Sequence, residues 1–586
     1  MKYRELVEVY QKLEGTTKRL EKTAYISKLL KKTPEQDIQK IVLLLQGRIY
    51  PKWSEQETGV SSRLVLKALN IAAGIPVNEI EEQWKNTGDL GIVAEKITAV
   101  KTQSTLFTTD LTVKKVLENL KKLSETEGIG AVDRKVKLIA ELLTSATPLE
   151  ARYITRTILE EMRLGVGEGS VRDAICWAFF GDELELKYNQ QENKLEINEE
   201  QRQIYNHYVD AVQEAYDITN DFSKTALLAR QGLASLKNTT LETGRPLKAM
   251  LYQKAKDMQE AFERVGSPAA FEYKYDGFRL QLHRNKDKIM LFTRRLENVT
   301  KQFPDVVEVI RENIKSDNYI LDSEIIGIDP QTKKWLAFQN ISQRIKRKYD
   351  IHQMAKSIPV MVNVFDAMQI NNQNLLKIPF KERRQAIQKI ITEVPEKLSP
   401  ARQIITDSAE KAQEFYEQAL KMGNEGIMAK NLNAPYKPGS RVGYGIKIKP
   451  VMETLDLVII GAEWGQGKRA NWLSSFTIAC IDANGNFVEI GKVGTGIKEK
   501  EQEGVTFEQL TNLLKPLITS EKGKEITVKP SIVIEINYEE IQKSPTYASG
   551  YALRFPRLIS IRNDRSPEDI AALEQIEELY FSQRNK

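Results

Sequence analysis

Through the first 240 residues, apolar positions recur every three or four residues, the period of a helix that buries one stripe. The opening MKYRELVEVYQKLEGT sets Leu6, Val9, Tyr10 and Leu13 on one side. The same spacing runs through EQDIQKIVLLLQGRIY, SSRLVLKALNIAAG, DRKVKLIAELLTSA and EARYITRTILEEM. From 247 to 450 the pattern changes. AFEYKYDGF, RLQLHR, KIMLFT, YILDSEIIGI, PVMVNVFDAM, EGIMAKN and GYGIKIKP read as strands. DVVEVIRENI, FKERRQAIQKIITE and AEKAQEFYEQALKMG read as helices between them. Beyond 450, LDLVIIGAEW, SSFTIACID, NFVEIGKVG and SIVIEINYEEI are short strands, with Asn484-Gly485 as a hairpin turn. Ser566 and Pro567 read as the N-cap and first position of a final helix.

The pattern predicts a multidomain chain. Residues 1–240 form an all-α domain, 241–449 an α+β domain with mainly antiparallel strands, and 450–586 a small β-barrel of the OB-fold type. The polar stretch LKYNQQENKLEINEEQRQ reads as a surface insertion and LKNTTLETGRP as a linker; KPVMETLD, 449 to 456, reads as a hinge.

Composition narrows the class. At 586 residues the chain exceeds a single core, and 41% hydrophobic with 28% charged residues fits a soluble globular protein. There is no apolar run long enough for a bilayer and no signal-peptide pattern, so no membrane partner and a cytoplasmic setting are expected. Two cysteines, Cys176 and Cys480, exclude a disulfide scaffold and a four-cysteine zinc site. A net charge of +6 permits nucleic-acid binding through local patches without requiring it.

Candidate chemistry centres on FEYKYDGFRLQLHR, residues 271 to 284, which reads as strand, tight turn and strand. Lys274 sits before Asp276-Gly277, a strong turn signal, with Glu272 and Arg279 at hand. Glu324 interrupts an apolar run, where a carboxylate is costly unless a cation meets it. Arg294 and Arg295 close KIMLFTRR, Phe365-Asp366 lie within PVMVNVFDAM, and Glu425 precedes a strand carrying Lys430. Lys447 and Lys449 alternate with isoleucines and so share a face. A lysine, several cations, a ring and two or three acids suit a nucleotide with a phosphate tail and Mg²⁺. In the helical part, Arg152, Arg156 and Arg163 precede a loop with Gly165, Gly167 and Gly169, with Ser170 as an expected N-cap. SETEGIGAVDRK repeats the theme, and both read as a backbone-gripping surface.

EYKYDGFR, TRRLENVT, LDSEIIG, VNVFDAM, EGIMAK, RVGYGIKIKP and RFPRLISIRNDRSPED, in that order, resemble the serial motifs of the nucleotidyltransferase superfamily. The resemblance is to the ATP-dependent DNA ligases of archaeal and eukaryotic replicative type, and it covers nearly the whole chain. It implies a helical DNA-binding domain, an adenylation domain and an OB-fold domain. It implies that Lys274 attacks the α-phosphate of ATP to become lysine–AMP. Glu272, Arg279, Arg294, Glu324, Phe365, Arg441 and Lys447 match nucleotide-contacting positions, with Lys430 and Lys449 as further phosphate-side cations. Glu324 and Glu425 match the acids associated with Mg²⁺, with Mn²⁺ as an alternative. Arg554, Arg557 and Asp564 match the OB-domain group that closes over ATP. The implied partner is nicked double-stranded DNA, sealed by a monomer in replication, repair and recombination. A sliding clamp is a further family partner, for which the sequence carries no clear peptide motif.

Three positions depart from the family pattern. Arg295 stands where Asn is usual, Gly445 where Trp is frequent (with Tyr444 beside it), and Arg565 where Lys is usual. None removes a reacting group.

Overall fold

The computed structural model describes residues 1–583, apart from Glu55, 101–109, Ala337, Arg347, Lys348, Ser440, 451–452, 466–468, Ala470 and 500–503. For residues 338, 339, 342, 346, 441 and 442 it describes the backbone alone. Two residues of the expected hinge, Val451 and Met452, therefore lie outside the described residues.

Thirteen described helices, from Tyr3–Glu14 to Leu233–Lys237, pack around one apolar core that runs from Tyr3 to Leu236. Their sequences explain them. Val113–Glu125 buries Val113, Val116, Leu117, Leu120 and Leu123, a stripe at helical spacing. Pro148–Ile158 starts at a capping box formed by Thr147 and Glu150, with proline at its first position. This helix stops earlier than its pattern predicts: Glu160 and Arg163 both adopt φ of 56°, so Arg163 lies beyond the helix. Glu168–Phe180 is capped by Gly167, which places Ser170 inside the first turn and not at the cap. The polar insertion holds a small hairpin, Lys187–Asn189 with Lys194–Glu196, and then the capping box of helix Glu199–Thr219. In the linker, Leu241 and Leu247 are buried against the next domain, so the segment is packed down.

The α+β region holds two sheets. In one, five strands run in the order Gln403–Thr406, Ala269–Lys274, Gly426–Asn431, Arg441–Ile448, Leu251–Lys254. The other is seven-stranded, with Val360–Ile370, Asn318–Ile328, Phe278–Asn285 and Lys288–Thr293 in its main path. Pairing is antiparallel except for Arg441–Ile448 with Leu251–Lys254 and for Leu398–Pro400 with Val360–Ile370.

The strands flanking Asp276-Gly277 are not a hairpin. Ala269–Lys274 pairs within the five-stranded sheet, and Phe278–Asn285 within the seven-stranded one. The turn is the crossing between sheets. A Cβ on Gly277 would lie 2.1 Å from Ile325 O, so glycine is required by close approach of the two backbones.

The C-terminal region is of the OB-fold type, wrapped on one core from Leu455 to Ile576. The long strand Leu455–Trp464 pairs along one edge with Leu473–Ile481. Its other edge is shared by Val533–Asn537 and Glu525–Val528. The ladder does not close into a full barrel among the described residues. Ser566 forms its capping box with Asp569, but this opens a 3-10 turn, and the last helix starts at Leu573. No helix among the described residues is long and apolar enough to cross a membrane.

Candidate active site

Strand alternation builds the floor of the site. In Ala269–Lys274, Ala269, Phe271 and Tyr273 join the core beneath, so Ala270, Glu272 and Lys274 share the opposite face. Register carries that face across the sheet in three rows. Lys274 pairs with Gly426, Glu272 with Met428 and then Lys447, and Ala270 with Lys430 and then Gly445. The floor thus presents lysines at both ends and a carboxylate in the middle.

Lys274 occupies the first row. Its Nζ donates to Glu425 Oε2 at 2.5 Å, and Lys449 Nζ lies 2.7 Å from the same oxygen. Arg554, from the C-terminal domain, approaches Glu425 Oε1 at 3.8 Å and Asp276 Oδ1 at 3.9 Å. Lys449 also reaches Glu539 of the C-terminal domain at 3.2 Å. Burial opposes the charge on Glu425, but Lys274 and Lys449 outweigh it and hold the carboxyl well below its usual range.

Glu272 is 2% exposed and meets Lys430 Nζ at 2.6 Å and Gln403 Nε2 at 2.9 Å. Two cations approach the Phe365 ring, with Lys430 Nζ 4.8 Å and Arg279 Cζ 5.2 Å from its centroid. Arg279 descends from the seven-stranded sheet and is held by Asp322, by Met250 O at 3.0 Å and by the Tyr436 hydroxyl at 3.1 Å. Glu324 faces Arg279 across the strand pair. Burial pushes its carboxyl up to about 8, against the pull of Lys274 and Arg279.

Lys274, Glu425, Lys449 and Arg554 therefore form one connected set of contacts, and Glu272, Lys430, Phe365 and Arg279 form a second; Glu324 feels the charge of both, through Lys274 and Arg279, and Lys447 lies in the row of Glu272. Other predicted residues are not drawn in. Arg294 is exposed, just beyond the strand Lys288–Thr293. Arg557 is exposed on its strand. Asp564 is clasped by Arg562 at 2.8 Å, and that arginine also binds Asp456 at 2.9 Å, so the aspartate is engaged within its own domain. Arg441 opens the strand Arg441–Ile448, but its side chain lies outside the described residues.

The structure adds Asp322, Tyr436 and Arg383, which sequence reading passed over, and gives Asp366 its partner. Asp322 and Asp366 are fully buried, the first paired with Arg279 and the second with Arg383 Nε at 2.7 Å. Tyr436 donates to Asp322 Oδ2 at 2.8 Å. Asp322 precedes Glu324 by two in a strand, and that spacing already places both on one face. The helical domain corrects another expectation. Arg156 is 2% exposed and bound to Glu14 and Asp89 at 2.9 and 2.6 Å, while Arg152 binds Glu95 at 3.0 Å. These two arginines hold the domain together from within. Arg134 and Lys22 likewise hold backbone carbonyls of the two glycine loops.

Known proteins match this arrangement from end to end. Residues 249–449 match the ATP dependent DNA ligase domain, 2–176 the DNA ligase N terminus and 469–565 the ATP dependent DNA ligase C terminal region. The DNA ligase of Nanoarchaeum equitans is 46% identical over 588 aligned residues, covering 100% of this chain and 99% of the relative.

The chain belongs to the ATP-dependent DNA ligase family.

The DNA ligase of Thermococcus fumicolans is 40% identical, covering 99% of this ligase and 98% of that one. The solved Pmar-Lig_Pre structure shares the fold, with a TM-score of 0.55, 14% identity, and coverage of 95% of this ligase and 99% of that chain. Among the described residues the ligase has no group of three or more metal-ligating side chains. It does offer Glu324, a half-buried carboxyl raised by burial, and Glu425, both near the lysine. That sparse oxygen set fits Mg²⁺, which takes one or two carboxylates and fills its other positions with phosphate and water.

Proposed function

We propose that this ligase seals nicks between a 5′-phosphate and a 3′-hydroxyl in duplex DNA, with Lys274 as its nucleophile. The observation that carries the reading is the convergence of Lys274, Lys449 and the C-terminal Arg554 on one carboxylate, Glu425.

Lys274 attacks as a free amine, so its pairing with Glu425 must open and its Nζ must give up a proton to solvent, to which the side chain is partly exposed. Lys449 and Arg554 compete for that carboxylate and can take it over. The new bond joins Lys274 Nζ to the α-phosphorus, and the bond from that phosphorus to the bridging oxygen breaks, releasing pyrophosphate. Lys449, Lys447 and Arg554 supply the positive charge that receives the leaving group. Phe365 stacks on the base. Glu324 and Glu425 would hold Mg²⁺, or Mn²⁺, which when bound supplies charge neutralisation at the phosphates. AMP then passes to the 5′-phosphate of the nick, and the 3′-hydroxyl displaces it. The helical and OB-type domains grip duplex backbone without reading sequence.

Incubation of Lys274→Ala with ATP labelled at the α-phosphate tests the assignment. The variant should carry no covalent label yet retain sealing of a pre-adenylated nick; persistent label would overturn it.

A further inference from the structure

The ring of Tyr252 occupies ground that the sequence leaves empty at Gly445. Ile446 pairs with Gln253, which sets Tyr252 beside Gly445 at the end of the row that begins with Ala270 and Lys430. The fit is close: a Cβ on Gly445 would lie 2.3 Å from both Cδ1 and Cε1 of Tyr252. Any side chain at 445 would displace this ring, so the two positions form a large–small pair across adjacent strands.

Of the tyrosine hydroxyls buried without a partner among the described residues, that of Tyr252 is the one beside Gly445 in the row of Lys430. Tyr252 Oη is buried, and it makes no hydrogen bond to any described residue. A buried hydroxyl without a partner is costly, because it gives up its bonds to water and gains none in return. Burial, with Asp366 acting in the same direction, raises the phenol far above its ordinary range, so it stays neutral. Asp366, Arg279, Asp322 and Glu272 act on it electrostatically, and of these Arg279 lies 5.2 Å from the centroid of the Phe365 ring. The row of Tyr252 is two rows from Lys274, roughly 13 Å along the strands at the usual rise per residue. With Phe365 as the stacking ring, a nucleotide whose α-phosphate meets Lys274 would direct its base toward that row, which carries the Lys430 that approaches Phe365.

We infer that Tyr252 closes the base end of the nucleotide pocket and that its hydroxyl hydrogen-bonds the edge of the purine. The inference rests on Lys274 as the nucleotide-accepting lysine. Tyr252 acts as a binding residue: a neutral hydroxyl can donate to a ring nitrogen or accept from an exocyclic amine. The ring fills space, and the hydroxyl adds affinity for the nucleotide without touching the reacting phosphorus.

Tyr252→Phe keeps the ring and removes only the hydroxyl. Self-adenylation of the full-length enzyme, followed against ATP concentration, should show KM raised roughly five- to tenfold with kcat retained. Affinity for nicked duplex should match the wild type, and the Tm of the free enzyme should match or exceed it, since the variant no longer buries an unpartnered hydroxyl. An unchanged KM would overturn the inference. So would a fall in DNA affinity or Tm of comparable size, which would mark a structural role. Lys274→Ala, assayed alongside, separates the two readings. Label persisting on it would remove the nucleotide site itself, whereas label lost there with Tyr252→Phe unaffected would remove Tyr252 alone.

Discussion

One carboxylate, Glu425, is shared between Lys274 and an arginine from another domain: Lys274 Nζ is 2.5 Å from Oε2, and Arg554 Nη1 is 3.8 Å from Oε1. The C-terminal domain is thus docked on the adenylation site, with Lys449 to Glu539 as a second tie. Arg554→Ala should slow transfer of AMP to the lysine roughly 100-fold, the usual scale for losing one charged group that stabilises a transition state. Sealing of a pre-adenylated nick should fall far less, because that step needs no pyrophosphate departure. Single-turnover measurement of the two steps checks this, and equal losses in both would contradict it.

Glu324 predicts a pH dependence. Its carboxyl is raised from 4.5 to about 8 in the folded protein, so the folded state favours the neutral form. That contribution to stability is complete below pH 4.5 and is lost as pH rises through about 8. Between pH 5 and 9 the Tm of the ligand-free enzyme should therefore fall more steeply than that of Glu324→Gln. Added Mg²⁺ should recover Tm at the alkaline end in the wild type and not in the variant. Calorimetric scans with and without the metal measure both.

Lys274 and its neighbours were legible because strand alternation and motif order are local signals: Glu272 and Lys274, or Lys447 and Lys449, share a face by spacing alone. The partition into two sheets was not. An Asp-Gly pair between two strand-like runs carries the same signal whether those strands pair with each other or part company, and only Ile325 O decides it. Arg156 was misread for a related reason: a helical arginine shows its charge in the sequence but not the buried Asp89 that meets it. Tyr252 and Gly445 are far apart in the chain, and their complementarity exists only once their strands are adjacent. The C-terminal arginine and aspartate stand ten residues apart, yet only Arg554 reaches the lysine's partner, while Arg562 holds Asp564.

Gly277→Ala should test the crossing between the sheets. The added methyl meets Ile325 O at 2.1 Å and the Ile325 carbonyl carbon at 2.9 Å, both backbone atoms in a central strand. Backbone cannot rotate away as a side chain can, so the loss should be about 2–4 kcal/mol in urea unfolding. Gly443→Ala is the matched control, since its added Cβ meets nothing within 4 Å. It should stay within about 1 kcal/mol of the wild type.

Arg156→Met separates a structural arginine from a DNA-binding one. Its guanidinium is bound on one side by Asp89 at 2.6 Å and on the other by Glu14 at 2.9 Å. Burial of the arginine and of Asp89, with Glu14 partly buried, makes removal of the cation costly, because two carboxylates then face each other without it. The helical domain should lose about 3–5 kcal/mol of stability, read by denaturant unfolding. At a temperature where the variant is still folded, its affinity for nicked duplex and the salt dependence of that affinity should equal the wild type's. A shallower salt slope would mean that Arg156 neutralises a phosphate after all. Arg163, half exposed with only part of its charge engaged by Asp89 and Glu161, is the arginine of this segment whose substitution should reduce that slope.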